Sequence, residues 1–172
     1  MRQLLEYMLE QDDVFRPATP EEIKTRKARY KDIRRKEWMD EFLKRDDVHK
    51  NEDGSYDVDG DVDIRDMDLT ELPLRFGKVG GYFDCSYNRL ISLEHAPRTV
   101  RGDFSCYNNR LTSLEHAPRT VGRVFNCSYN RLTSLEGAPR TVGGDFWCAD
   151  NSKKFTEDDV RKVSKVKGGV YV

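Results

Sequence analysis

At 172 residues, with 37% hydrophobic and 35% charged content, the chain has room for one domain plus an appendage and too little apolar material for a thick globular core. A formal net charge of −1 removes overall basicity as an argument for nucleic acid or membrane. No run approaches the roughly 18 apolar residues of a membrane span. The N-terminus, MRQLLEYMLEQDD, carries acids and lacks a long apolar centre, so it does not read as a secretory signal and a soluble, cytoplasmic protein is expected.

Residues 1–46 read as a helical cap or appendage. Residues 2–10 form a short amphipathic helix candidate. Thr19-Pro20-Glu21-Glu22 supplies a capping box with proline at the first helical position. A helix then runs to about Lys44, with Ile23, Tyr30, Ile33, Trp38 and Phe42 as a loose apolar stripe. Residues 24–36 hold eight basic residues against Asp32 alone, and residues 46–71 hold eleven acidic ones against Lys50 and Arg65. One reading docks the helix on the first repeat as a cap. A second makes Lys24, Lys27, Lys31, Arg34 and Arg35 a polyanion- or nucleic-acid-binding face, unless the acidic segment neutralises it internally.

Residues 47–58 read as a linker and capping hairpin strand. Tyr56 to Val62 alternates around Asp59-Gly60, which predicts a hairpin turn there, covering the first strand of the repeats. The same region imitates a calcium loop through Ser55, Asp57, Asp59, Gly60, Asp61, Asp63 and Asp66. Its first ligand is Ser and its twelfth Asp, and the residues fit a strand register better.

From residue 59 the chain repeats every 21 residues, as 59–79, 80–100, 101–121, 122–142 and 143–163. The regular copies are GGYFDCSYNRLISLEHAPRTV, RGDFSCYNNRLTSLEHAPRTV and GRVFNCSYNRLTSLEGAPRTV. Such a period signals a solenoid whose units bury their apolar sides only by stacking. Phe-x-Cys (Phe83 and Cys85) alternates with period two, so both side chains face the interior of a short strand. Asn88, Asn109, Asn130 and Asn151 are placed to cap backbone groups where the chain leaves that strand. Leu90 and Leu93, with their equivalents, turn inward. Pro97, Pro118 and Pro139 discourage a helix, so Ala-Pro-Arg-Thr-Val returns as a short extended or 3₁₀ segment. Cys85, Cys106, Cys127 and Cys148 share one repeat position, and a row at about 4.8 Å per strand reads as a buried ladder. Four thiolates strung along such a row do not wrap one tetrahedral zinc.

The fourth copy diverges at Lys153-Lys154. Thr156 with Glu157, Asp158 and Asp159 predicts an N-capped helix that packs Val160 and Val163 inward. Residues 164–172 add a last strand, whose edge at Val172 leaves pairing with a second copy open. Across the regular copies thirteen positions are identical, and four of the eight that vary are read as outward-facing strand positions. These point to a protein-binding face of Asp63, Tyr82, Asp84, Tyr87, Asp103, Tyr107, Asn126, Tyr129, Asp145 and Trp147, with aromatic anchors among small polar and acidic groups. His95 and His116 share a turn position, but two imidazoles alone make a poor metal site. Arg89, Arg110 and Arg131, and Arg98, Arg119 and Arg140, form two basic rows with Glu94, Glu115 and Glu136 between them, which reads as a solvated face or a weak nucleic-acid surface. No catalytic constellation, metal site or cofactor motif stands out.

Phe-x-Cys-x-x-Asn-x-Leu-x-x-Leu resembles the leucine-rich repeat of the short bacterial type, as in the repeats of secreted bacterial effectors, and is closer still to small leucine-rich-repeat proteins of tailed bacteriophages. The resemblance implies an α/β solenoid of about five short parallel strands, with an N-terminal helical region, a C-terminal capping helix and a concave strand face that binds a protein partner. It implies no particular partner; a phage origin would make the partner a host factor met in the host cytoplasm. Met1–Glu10 resembles capsid-targeting leaders of tailed-phage internal proteins, with Leu4-x-Glu6 and Met8-Leu9-Glu10 near prohead-protease sites, which makes a virion-associated structural protein the alternative.

Overall fold

The computed structural model describes residues 19–172; segment 2–10 and its two processing-site candidates lie outside them. Helix α1 spans Pro20–Phe42, and α2 spans Glu157–Val163. Between and after them run strands β1 (Val48–Lys50), β2 (Tyr56–Val58), β3 (Val62–Asp63), β4 (Phe76–Val79), β5 (Phe83–Asp84), β6 (Thr99–Val100) and β7 (Phe104–Ser105). Strands β8 (Thr120–Val121), β9 (Phe125–Asn126), β10 (Thr141–Val142), β11 (Phe146–Trp147), β12 (Lys165–Val166) and β13 (Val170–Tyr171) complete the set.

These strands wind into a parallel β-solenoid of about six turns. Each turn gives one strand to each of two sheets. Sheet A, in the order β1-β2-β4-β6-β8-β10-β12, has seven strands, and sheet B, in the order β13-β11-β9-β7-β5-β3, has six. Registers follow the 21-residue period: Thr99 pairs Thr120, Val100 pairs Val121, and Phe83 pairs Phe104. The return segment therefore does more than run extended. Its Thr-Val ends are strands β6, β8 and β10 of sheet A, and each valine is buried opposite the phenylalanines of sheet B. Between the sheets, each turn's Cys and two Leu complete the core.

One sharp arc joins each Val of sheet A to the next Phe of sheet B. Room there is minimal: a Cβ on Gly122 would lie 1.9 Å from the Arg101 carbonyl oxygen. Inside, phenylalanine rings form a ladder, with centroids 5.5 Å apart for Phe83–Phe104 and 5.6 Å for Phe104–Phe125 and ring planes nearly parallel.

The asparagine column closes the corner after sheet B. Asn109 Nδ2 donates to the carbonyls of Cys85 (3.0 Å) and Cys106 (3.1 Å), while its Oδ1 accepts from Leu90 N at 2.9 Å. Asn130 and Asn151 repeat the pattern. The first turn has Met67 in place of Asn, and Asn88 of the next turn serves it by accepting from both Met67 N and Leu69 N.

At the N-terminal end, Thr19 and Glu22 form the expected capping box. The last part of α1 docks through apolar contacts, where Phe42 is buried, stacks on Trp38 and meets Phe76 edge-on; the middle reaches the first turn through ion pairs of Lys31 and Arg34 with Asp66, and Ile23 stays exposed. The hairpin differs from expectation. Val48–Lys50 pairs antiparallel with Tyr56–Val58 around Gly54 (φ +79°), and Asp59-Gly60 is instead the first arc between β2 and β3. An Asp-Gly pair suits either corner, so local alternation did not separate them. Arg45 and Asp47 cap that arc: Arg45 Nη1 donates to Asp61 O (2.8 Å), and Asp47 accepts from Gly60 N (3.1 Å).

At the other end, Thr156 and Asp159 form a second capping box. Val160 enters the core, but Val163 is exposed; Ser164 turns the chain into extended backbone, and Phe155 and Val166 fill the space.

Candidate functional site

The expected binding face divides among the outer face of sheet B (Asp63, Asp84, Asn126, Trp147), the arc leading into it (Tyr82, Asp103, Asp145) and the corner that follows it (Tyr87, Tyr107, Tyr129). The polar members have structural duties. Asp63, Asp84 and Asn126 each accept from the backbone N–H two residues on (3.1, 2.9 and 3.0 Å), holding the chain as it leaves the strand. Asp103 accepts from Val124 N (2.9 Å) and Asp145 from Gly169 N (2.8 Å), as Asp61 does from Tyr82 N (2.9 Å). Carboxylates on alternate turns thus satisfy the arc of the next turn. Arg65 bridges Asp63 (2.7 Å) and Asp84 (3.5 Å), and Arg123 approaches Asp103 (3.6 Å). Burial alone would raise the Asp63 carboxyl, but hydrogen bonds from Arg65 hold it below the usual range. Ser86 and Ser128, read as outward, are buried, whereas Tyr107 at the equivalent position is half-exposed.

The aromatic members have no comparable duty. Tyr107 lies between Tyr87 and Tyr129, at centroid distances of 5.2 and 5.1 Å. Trp147 stacks on Tyr171 at 4.2 Å. Tyr87, Tyr129, Trp147 and Tyr171 are 54%, 50%, 39% and 45% exposed, unusual for rings this large. Tyr171 escaped the sequence reading because Trp147 and Tyr171 are register partners 24 residues apart rather than 21, α2 having lengthened the last turn. Burial and then the Tyr87 ring's influence push the Tyr107 phenol up, and a hydrogen bond to Asp150 pushes Tyr129 up. Both remain neutral donors near neutrality.

Backbone geometry sharpens the contrast. One repeat position adopts left-handed φ in five successive turns: Asp66 (51°), Tyr87 (56°), Asn108 (53°), Tyr129 (56°) and Asp150 (53°). Asn and Asp tolerate that region; a bulky ring there is an outlier that costs about 1–2 kcal/mol. Tyrosine occupies it twice.

The other sequence candidates sort differently. Lys31 pairs with Asp66 (3.1 Å) and Asp68 (3.9 Å), and Arg34 with Asp66 (3.9 Å). Arg35 bonds Asp32, and Lys24 approaches Glu21 (3.8 Å). The acidic stretch therefore neutralises part of the basic helix, with Lys27 on its exposed first half. The calcium-like acids are likewise engaged. Asp57 accepts from Asn51 Nδ2 (3.1 Å) and Lys78 N (2.8 Å), and among the described residues no group of three His, Cys, Asp or Glu converges on a metal position.

The four cysteines are free and buried. Cys85, Cys106 and Cys127 donate Sγ–H to carbonyls of the next turn at 3.3, 3.5 and 3.4 Å. Burial, then the neighbouring thiol, pushes these three well above the ordinary thiol range, and burial with Asp159 pushes Cys148 up to about 11. The thiolate is the reactive form. A chromogenic disulfide reagent should therefore find no rapidly reacting thiol in the folded protein and four in denaturant. Stoichiometric reaction without unfolding would contradict the ladder.

No family model, curated protein or solved structure matches the chain. No helix among the described residues is long and apolar enough to cross a membrane.

Proposed function

We propose that the protein is a non-enzymatic binding module that grips a protein partner across the outer face of sheet B. One observation carries this reading: Tyr87 and Tyr129 keep large exposed rings where the left-handed backbone favours Asn, Asp or Gly. A chain selected for stability alone would place there what Asn108 already provides. Rigid aromatic anchors on a stacked scaffold are what interface hot spots use. We read each turn as a variant of the short leucine-rich repeat, with Asn88, Leu90 and Leu93 in their expected roles and α2 as its terminal cap. On that reading the phage likeness makes a host protein the partner.

The test uses that opposition between stability and binding. A photo-crosslinking residue in place of Tyr107 should capture a discrete protein from host lysate, whereas the same group in place of Thr120, on sheet A, should not. Tyr87→Asn with Tyr129→Asn should remove the capture and leave the melting temperature unchanged or raised, the relief of strain offsetting about 0.5–1.5 kcal/mol of ring contact. Equal capture at both positions, or survival of capture in the double variant, would place binding elsewhere.

A further inference from the structure

A groove of about 680 Å³ runs along the return segments beside sheet A, lined by Arg75, Arg98, Arg119 and Arg140 against a single carboxylate, Glu94. Arg75 is already engaged, pairing with Asp53 at 3.5 Å and donating to Asp53 O at 3.2 Å. The side chains of Arg98, Arg119 and Arg140 make no hydrogen bond or contact ion pair among the described residues, although Arg98 and Arg119 also border a smaller cavity with Glu52, Asp53 and Asp57, and the charge of Arg98 helps lower the Asp53 carboxyl. Their backbones are laddered, Arg119 N donating to Arg98 O and Arg140 N to Arg119 O, each at 2.9 Å. Three guanidiniums are thus held in one row, about 4.8 Å apart at their roots. Four residues before each stands Glu94, Glu115 or Glu136, yet none of these carboxylates comes within 4.0 Å of a guanidinium among the described residues. Such a row of like charges calls for anions.

We propose that this arginine ladder binds the phosphodiester backbone of a single-stranded nucleic acid lying along the solenoid axis. Arginine at all three rungs suits phosphate, which it meets with two parallel N–H donors. A single strand is flexible enough to match its phosphates to the rungs. His95 and His116, exposed one turn apart at the groove's edge, add flat rings on which bases stack. An acidic peptide would use the arginines and leave those rings idle. This surface is separate from the aromatic face of sheet B, and its occupancy is independent of the protein-binding reading.

The experiment is anisotropy of a short labelled oligothymidylate with the full chain over a range of salt. Three phosphate contacts predict a slope of log affinity against log salt of about −2, from roughly −0.7 per contact on a single strand. Arg98→Gln, Arg119→Gln and Arg140→Gln together should weaken binding on the order of a hundredfold at about 0.1 M salt and flatten the slope, with circular dichroism unchanged. Lys27→Gln with Arg29→Gln on α1 should leave binding intact. Absence of binding at low salt would overturn the proposal, as would wild-type affinity in the triple variant or a loss that follows the α1 variant instead. Displacement by poly-glutamate as effective as by unlabelled oligothymidylate would overturn the nucleic-acid assignment in favour of an acidic protein.

Discussion

Asn109→Ala should cost about 2–5 kcal/mol of unfolding free energy, read from denaturant titration, because it strands one buried donor and removes a hydrogen bond from each of two buried carbonyls. The side chain is 7% exposed and its partners are the Cys85 and Cys106 carbonyls and the Leu90 N–H. The Leu90 N–H loses its partner outright, while the Cys85 and Cys106 carbonyls each lose one of two amide donors and keep those of Asn88 and Asn130. A stranded donor costs roughly 1–3 kcal/mol and each further lost hydrogen bond about 0.5–1.5 kcal/mol, which together give the stated range. Asn109→Asp separates hydrogen bonding from shape. The introduced carboxylate keeps the size but sets an acceptor against two carbonyl oxygens, so the loss at neutral pH should match or exceed that of alanine. Its pKa is raised by folding, so the relative stability is greatest below the unfolded carboxyl value of about 3.9 and falls as pH rises through the folded value. A deficit in the Asp variant that is flat with pH, or an alanine variant within 1 kcal/mol of wild type, would show that the column does not hold the corners.

Much of this scaffold was legible because repetition turns one turn's chemistry into six. Phe83, Cys85, Asn88, Leu90 and Leu93 recur unchanged in the three regular copies, and stacked copies must put identical side chains in identical places. The second sheet was hidden by brevity. Thr99-Val100 is a two-residue strand, too short to show alternation, and its identity in every copy read as a passive return. Asp59-Gly60 misled for a similar reason: local chemistry fits a hairpin or an arc, and only the distant partner Val48–Lys50 decides.

Variation at the face was read as the mark of a binding surface, and the structure divides it. Asp84, Ser105 and Asn126 vary within the set of short side chains that can accept from the N–H two residues on. Their variety reflects one constraint met three ways. Tyr87 and Tyr129 vary against the preference of their own backbone, which only dihedral angles reveal. The sequence holds the residues of the candidate site, but the sign of their contribution to stability becomes visible in three dimensions.

That sign predicts a sharp contrast between two aromatic columns of the same sheet. Phe104→Ala should destabilise by about 3–5 kcal/mol, the usual cost of deleting a fully buried ring whose neighbours cannot collapse. Phe104 is 0% exposed and stacks on Phe83 and Phe125 from both sides. The strands carrying those rings are fixed by their ladder hydrogen bonds, so the space left behind stays open. In a stack whose stability is carried by nearest-neighbour interfaces, a gap at a middle rung weakens the contact above and the contact below together. Trp147→Ala, at the neighbouring register position of sheet B, removes a larger ring that is 39% exposed and leans on Tyr171 alone among aromatic partners. Its expected cost is about 1–2 kcal/mol, the stacked pair giving roughly 0.5–1.5 kcal/mol and the half-buried ring the remainder. Chemical denaturation of both variants reads the difference as separated midpoints at equal slope. Comparable losses would mean that the exposed aromatic face is part of the scaffold's own packing, and the argument that its rings are kept for a partner would fall with it.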